Sequence, residues 1–490
     1  MRRWMIALAV LAALIATLAV CRDRRQPDVF ILALQPLDDR SAIVIYQHRK
    51  HESVARVDDR GRTLWSSPLA GVPSTISPYN GIAVSADVVT VRYAHVRDSD
   101  PVDHAVAGFS LKDGALVWDT ILTPYQPTSP PAGRHPETPP YTIALPVAEG
   151  LVAQWASDGS SAWLFAVDAR TGRVVSRQPA ADAASPDVLG TRVIVNEPGQ
   201  TVVYDATGAT PIWKLPAWFR GCAVADEYVT MTYETVEGDR KLVALRDGDP
   251  ATRREIAVPP GHRSPQLHSC GRYRDRLVLL MKTDTHSKSG GRSQVWIVDS
   301  QGALLHAIDL GEDLMVETYW TRKIYPRAAP LAGELTRFAP YVHVRPDLRG
   351  AGESRLLMLD LEAGKIAWTA PTDAYQALFR ADEHWYMFRP APSPTLSVFD
   401  GRTGEFVAAV RIEGPGRIGD LAPYHVVSGR VWVYSDARGR ASRPSIAVLD
   451  ATSLAGAFQR GVHIEDVTSA VREQLGRVPG SGPAGSAPGP

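Results

Sequence analysis

The sequence predicts an all-β protein, one large ring of repeated four-stranded antiparallel modules, and three observations carry that expectation. A short phrase recurs nine times along the chain: an apolar strand, an acidic or polar turn, a glycine, and a second short strand. Most copies follow another pair of short apolar runs, such as "GIAVSADVVTVRYAHV" ahead of the second and "HVVSGRVWVYSDA" ahead of the last. The 490 residues, 44% of them hydrophobic, suffice for two or three ordinary domains or for one large repeat architecture, and the recurrence selects the second.

The chain opens on a separate element. Arg2 and Arg3 precede "WMIALAVLAALIATLAVC", 18 uncharged residues with only Thr17 as a polar interruption, and "RDRR" follows at once. A helix of that length is about 27 Å long, enough for a thin bilayer core. Residues 1–25 therefore read as an export segment with three possible fates. It is an uncleaved anchor, a signal peptide cut after the partial pattern Thr17 and Ala19, or a lipoprotein signal modified at Cys21. The anchor ranks first because Val20 stands where a lipidation signal needs a small residue. Each fate places the body outside the cytoplasm, facing the periplasm or extracytoplasmic space.

Within the body, the phrase reads "VARVDDRGRTLW", "GFSLKDGALVW", "LFAVDARTGRVV", "TVVYDATGATPIW", "LVALRDGDPATR", "VWIVDSQGALLH", "LLMLDLEAGKIAW", "LSVFDGRTGEFV" and "IAVLDATSLAGAF". Its glycines are Gly61, Gly114, Gly172, Gly208, Gly248, Gly302, Gly364, Gly404 and Gly456, spaced 36 to 62 residues apart. Alternating β-branched and aromatic residues pave a pleated strand. The acid accepts hydrogen bonds from backbone two residues on, and glycine supplies the positive φ of a tight hairpin. With the preceding pair of runs, each module has about four antiparallel strands, the unit of a propeller blade. Nine hairpins reduce to eight blades if the chain ends share one blade to close the ring. Eight is the expected number, with seven and nine as alternatives.

Four copies place a tryptophan just beyond the glycine: Trp65, Trp118, Trp213 and Trp368. An indole at that point can pack between one sheet and the next and set their spacing. Ser176, His306 and Ala408 hold the place in other copies. This set, with Asp205 and Asp360 each eight residues before its tryptophan, resembles the repeat of the pyrroloquinoline-quinone-type, quinoprotein-dehydrogenase-like β-propellers over residues 28–462. The resemblance implies a single propeller. It is also similar to the propeller subunit of the outer-membrane β-barrel assembly machinery, which implies envelope proteins as partners.

Two long connections interrupt the modules, "YQPTSPPAGRHPETPPY" at Tyr125 to Tyr141 and the stretch from Leu310 to Phe338. The first is too rich in proline for a central strand. Their aromatics Tyr125, Tyr141, Tyr319 and Trp320 are either local packing or anchors for a partner. After Val462, "HIEDVTSAVREQL" spaces Ile464, Val467, Val471 and Leu475 as a helix does, so residues 463–476 are expected to be helical. Residues 477–490, ending "GSGPAGSAPGP", read as a disordered tail.

Charge and reactive residues narrow the function. Lysine plus arginine equals aspartate plus glutamate, 53 each, so no global field favours nucleic acid. Beyond Cys21 the only cysteines are Cys222 and Cys270, each seven residues before an apolar residue in what reads as the same strand of neighbouring modules. They are two buried small side chains or a disulfide between adjacent modules. Of 13 histidines only His48 and His51 are close in sequence, and they lack partners at metal-ligand spacing. Glu312, Asp313 and Glu317 lie in a connection and read as solvated. Common nucleophile, zinc and nucleotide motifs are missing. Quinoprotein dehydrogenases of the resembling family commonly carry consecutive cysteines and a calcium site, and neither can be assigned to residues of this sequence. No catalytic, cofactor-binding or metal-binding residue is therefore expected. The expectation is a noncatalytic, monomeric, exported propeller that presents loop faces to envelope proteins and meets the membrane through its N-terminal helix. A quinone-dependent dehydrogenase or a ligand sensor using the central channel is the alternative.

Overall fold

The computed structural model describes residues between 29 and 476; stretches outside the description include 1–28, 125–142, 234–239, 284–291, 313–332, 414–424 and 435–445. The export segment with Cys21 and the tail 477–490 thus lie outside the described residues. Among the described residues no helix is long and apolar enough to cross a membrane.

The described strands form nine sheets in chain order, antiparallel but for one short parallel pair in sheet 6, an all-β propeller of four-stranded blades. Sheets 1 to 9 span residues 29–68, 72–124, 143–180, 185–216, 222–256, 266–312, 338–372, 377–413 and 425–460. Eight contain a full run of four consecutive strands, and sheet 7 has three. First strands of successive sheets touch around much of the ring, and Val29–Pro36 of sheet 1 meets His425–Val427 of sheet 9. Sheets 6, 7 and 8 share one hydrophobic core.

The expected count of eight is not what forms. The two chain ends do not pair within one sheet: all four strands of sheet 1 come from the N-terminal side and all four of sheet 9 from the C-terminal side. Closure is made by side chains instead. Ile31, Leu34 and Val44 of sheet 1 bury themselves with Trp432, Ile446 and Val448 of sheet 9. Apolar burial does there what a shared hydrogen-bond ladder was expected to do.

The recurring turn has one geometry in several sheets. Asp168 Oδ1 accepts the backbone N–H groups of Arg170 at 3.0 Å and Thr171 at 2.8 Å, while Gly172 N–H donates to the Asp168 carbonyl at 2.8 Å. Gly172 sits at φ +69°. Asp400 and Gly404 repeat the arrangement. In sheet 9 the turn is the same but its left-handed residue is Leu454, at φ 54°, whose N–H donates to the Asp450 carbonyl at 2.9 Å. Gly456, expected to be the turn glycine, is not among the positive-φ residues.

Tryptophans of the fourth strands lock three of the sheets to the next. The Trp118 Nε1–H donates to the Ala169 carbonyl of sheet 3 at 2.9 Å, and Thr120 Oγ1 donates to the Gly172 carbonyl at 2.7 Å. Its ring covers two glycines: a Cβ on Gly108 of its own sheet would lie 2.2 Å from Trp118 Cε2, and one on Gly172 would lie 2.5 Å from Cδ2. Trp65 repeats this on sheet 2, with Nε1–H to the Leu111 carbonyl at 3.1 Å and Ser67 Oγ to the Gly114 carbonyl at 2.5 Å. Trp368 donates to the Gly404 carbonyl at 3.0 Å. His306 fills the tryptophan place against Gly364. Between sheets 8 and 9 the sizes are exchanged: Ala408 holds the tryptophan place, Leu454 holds the glycine place, and both lie in one core.

The C-terminal segment differs from the helix expected over 463–476. His463–Asp466 is a strand that pairs antiparallel with the fourth strand of sheet 8, Phe406–Glu413, and only Thr468–Gly476 (α1) is helical. Open-edge N–H and C=O groups on Phe406–Glu413 give these residues a ladder, and Ile464 packs on the core beneath. Asp466 then accepts the Thr468 N–H at 2.8 Å, and Leu475 closes on the core of sheets 6 to 8.

Candidate interaction surface

The two cysteines stand on first strands of adjacent sheets, Cys222 in Cys222–Val224 of sheet 5 and Cys270 in Gln266–Tyr273 of sheet 6. Their sulfurs are joined as a disulfide, with the Cα atoms 6.0 Å apart. That separation lies within the usual range for such a bond. His48 and His51 are register partners across the hairpin of the second and third strands of sheet 1. The connection expected over Leu310 to Phe338 is shorter than its sequence suggested. Leu304–Glu312 ends a strand of sheet 6, Gly333–Glu334 pairs parallel with Gln266–Tyr273, and Leu335 is core, which leaves 313–332. Those residues, with Asp313, Glu317, Tyr319 and Trp320, lie outside the described residues, as does the connection from Tyr125 to Tyr141. Among the described residues no three His, Cys, Asp or Glu side chains group as metal ligands would.

Charges at the turn end of the ring cross from sheet to sheet in both signs. Arg272 of sheet 6 pairs with Asp226 of sheet 5 and Arg274 of sheet 6 reaches Glu362 of sheet 7 at 3.3 Å, while Arg337 holds Asp360 at 2.9 Å within the sheet 7 module. Several turn aspartates are held below the usual carboxylate range. Hydrogen bonds from the Ser453 N–H and then the side chains and N–H groups of Thr452 and Ser453 pull Asp450 down to about 2. The Thr171 N–H first, and then the Thr171 hydroxyl and Arg170 N–H, lower Asp168. Inside sheet 2, burial pushes Arg92 down to about 9, and burial followed by the bond to Asp119 raises Tyr93. This network is balanced in sign, and among the described residues it gives no single-sign patch for a polyanion.

Apolar exposure is concentrated on the outermost strands. Leu64, Val117, Ile212 and Leu305 are large hydrophobics in water, and each directly precedes the residue at the tryptophan place, Trp65, Trp118, Trp213 or His306. Each is the extra residue of a β-bulge, without a register partner on the neighbouring strand, and is left in water beside the residue at the tryptophan place. Sheet 2 adds two more on the same strand, Leu116–Pro124: Leu116 is 58% exposed and Ile121 56%. Residue counting along the phrase did not single out these positions. Their signal was the apolar residue beside each tryptophan.

A family model described as outer membrane protein assembly factor BamB matches residues 102–370, more than half of the chain. The chain belongs to that family. BamB-family membership agrees with the repeat and the ring. No curated protein matches the sequence significantly. Among solved structures, BamB from Moraxella catarrhalis is 14% identical and aligns over 75% of this chain and 95% of its own, with a TM-score of 0.40. A structure described as the eukaryotic initiation factor is 10% identical over 90% of this chain and 96% of its own, at 0.47. The quinohemoprotein alcohol dehydrogenase from Comamonas testosteroni is 12% identical over 89% and 75%, at 0.40.

Proposed function

We propose that this chain is a noncatalytic, exported scaffold of the cell envelope that binds partner proteins in the manner implied by the name of its family, an outer membrane assembly factor. The match over residues 102–370 is the observation that carries the reading. Export is supported by the 18 uncharged residues from Trp4 to Cys21 and by the Cys222–Cys270 disulfide, a bond that persists in oxidising compartments. Residues 1–25 act as membrane anchor and residues 28–462 as a monomeric propeller. The partner surface includes the connections 125–141 and 313–332.

Replacing each connection with a short Gly-Ser linker should leave the thermal transition of the propeller unchanged and remove a crosslinked partner recovered from native envelopes. Unchanged recovery from both variants would refute the loop-face reading. The same protein supplied with pyrroloquinoline quinone, Ca²⁺ and simple alcohols or sugars should reduce redox dye no faster than a protein-free control. A higher rate would establish the dehydrogenase alternative instead.

A further inference from the structure

The open edges of the ring are unequal. A fourth strand presents unpaired N–H and C=O groups along its outer side, and proteins guard such edges with proline, with charge, or by keeping them short. Val174–Ala180 carries Arg177 and Pro179, Pro211–Pro216 carries Lys214 between its two prolines, and Arg254–Ile256 is only three residues long. Leu116–Pro124 of sheet 2 is guarded less at its centre: bulges stand at Val117 and Leu122, and the stretch between them carries one charge and no proline. It is nine residues long, reads "LVWDTILTP", lacks Lys and Arg, and meets proline only at its last residue. Among the described residues no strand pairs with its outer side. Leu116, Val117 and Ile121 are exposed along it, and its one charge is Asp119. Asp119 Oδ1 accepts the Tyr93 hydroxyl at 2.5 Å, yet the residue is exposed.

The chain itself shows what covers such an edge. On sheet 8, His463–Asp466 adds antiparallel to Phe406–Glu413, and in mid-strand the register partners Arg411 and Glu465 form an ion pair at 2.8 Å. The added strand is held further by α1, which follows it. We propose that the open edge of Leu116–Pro124 is a strand-addition site for an extended segment of a partner protein, apolar at alternate positions and carrying Lys or Arg opposite Asp119. Charge complementarity is the mirror image of the Arg411–Glu465 pair.

A second copy of this chain fits the edge poorly. Two such strands paired antiparallel bring Asp119 towards its own copy, and like charges across a ladder repel. Two nine-residue edges alone bury on the order of 600 Å², about half of what a stable association requires. A partner escapes both limits when its flanking chain also docks, as α1 does on sheet 8. The inference rests on the scaffold reading only in that the propeller binds proteins, and it names a different surface from the loop faces.

The test uses full-length protein and three labelled ten-residue peptides of alternating Thr and Val, with a central Arg, a central Glu or a central Pro. By fluorescence anisotropy the Arg peptide should bind about threefold to fivefold tighter than the Glu peptide, as opposite charges across a ladder do. The Pro peptide should not bind. Asp119→Asn, which keeps an oxygen acceptor for Tyr93, should bring the Arg-to-Glu ratio close to one. Ile121→Lys should weaken the Arg peptide about tenfold by charging an exposed apolar site on the edge. Both variants should melt as the parent does and keep whatever partner the loop faces recover. Arg-peptide binding unaffected by Ile121→Lys, or equal binding of the Pro peptide, would overturn the proposal. So would a concentration-dependent dimer that Ile121→Lys abolishes, because the occupant would then be a second copy.

Discussion

The lock between sheets 2 and 3 can be broken and repaired one atom at a time. Gly172→Ala adds a Cβ that would lie 2.5 Å from Trp118 Cδ2, on a residue at φ +69°. The left-handed backbone costs a residue with a Cβ about 1–2 kcal/mol. The contact itself must be relieved by moving an indole that is only 9% exposed and hydrogen-bonded to Ala169, an overpacking cost of about 1–3 kcal/mol. Gly172→Ala should therefore destabilise by about 2–5 kcal/mol in all. Trp118→Ala alone should cost about 3–5 kcal/mol, from lost burial and a cavity between the sheets. In the Trp118→Ala background the new methyl has no ring to meet, so only the backbone term should remain, about 1–2 kcal/mol.

Urea denaturation of the four proteins, followed by tryptophan-independent far-UV circular dichroism and compared at constant m, measures the cycle. The coupling should be about 1–3 kcal/mol, with the double variant more stable than the sum of the singles predicts. If Gly172→Ala cost the same in both backgrounds, the indole would not be what occupies the space above the glycine. The interlock account of the ring would then fail.

Between sheets 8 and 9 the sizes are reversed, so Ala408→Trp should lose about 1–3 kcal/mol by overpacking and the pair Ala408→Trp, Leu454→Gly should recover part of it in the same melts. Asp450, depressed from 3.8 to about 2, stabilises the fold above its unfolded value, and that contribution should fade as pH falls from 3.8 to about 2. Asp450→Asn should flatten the acid limb of a stability-versus-pH series in that window, and an unchanged limb would remove Asp450 from the account. Labelling the denatured, nonreduced protein with a thiol reagent should find neither Cys222 nor Cys270 reactive. Cys222→Ser should cost about 4 kcal/mol from the 48-residue loop the bond closes, measured against Cys270→Ser as control.

What the sequence made legible was local. An acid that accepts from the two N–H groups following it and a glycine at positive φ are short-range requirements, so "DARTGRVV" and "DGRTGEFV" announce turns that the structure contains. The tryptophan place was legible for the same reason, since an indole on a repeated strand has only the next module to meet. Blade number was not, because whether the two ends share a sheet depends on how nine modules accumulate around a ring, and no local pattern records it. Leu454 was missed because a glycine two residues later looked sufficient. The side chain is 1% exposed, and burying it outweighs the strain of its φ of 54°.

Residues 463–466 failed in the opposite direction. Their apolar spacing fits a helix, yet an unpaired strand next door offers a ladder and a core for Ile464, and tertiary opportunity prevails over local periodicity. The same comparison explains why the candidate edge could not be recognised beforehand. "LVWDTILTP" contains every residue needed to see a weakly guarded strand, but a strand without lysine or early proline is ordinary in the middle of a sheet and exposed only at its border. Its meaning depends on standing last in sheet 2 with no strand on its outer side among the described residues, a fact of topology. Sheet 8 has a strand added beyond its fourth, so pairing by an added segment is a contact this chain already makes once with itself.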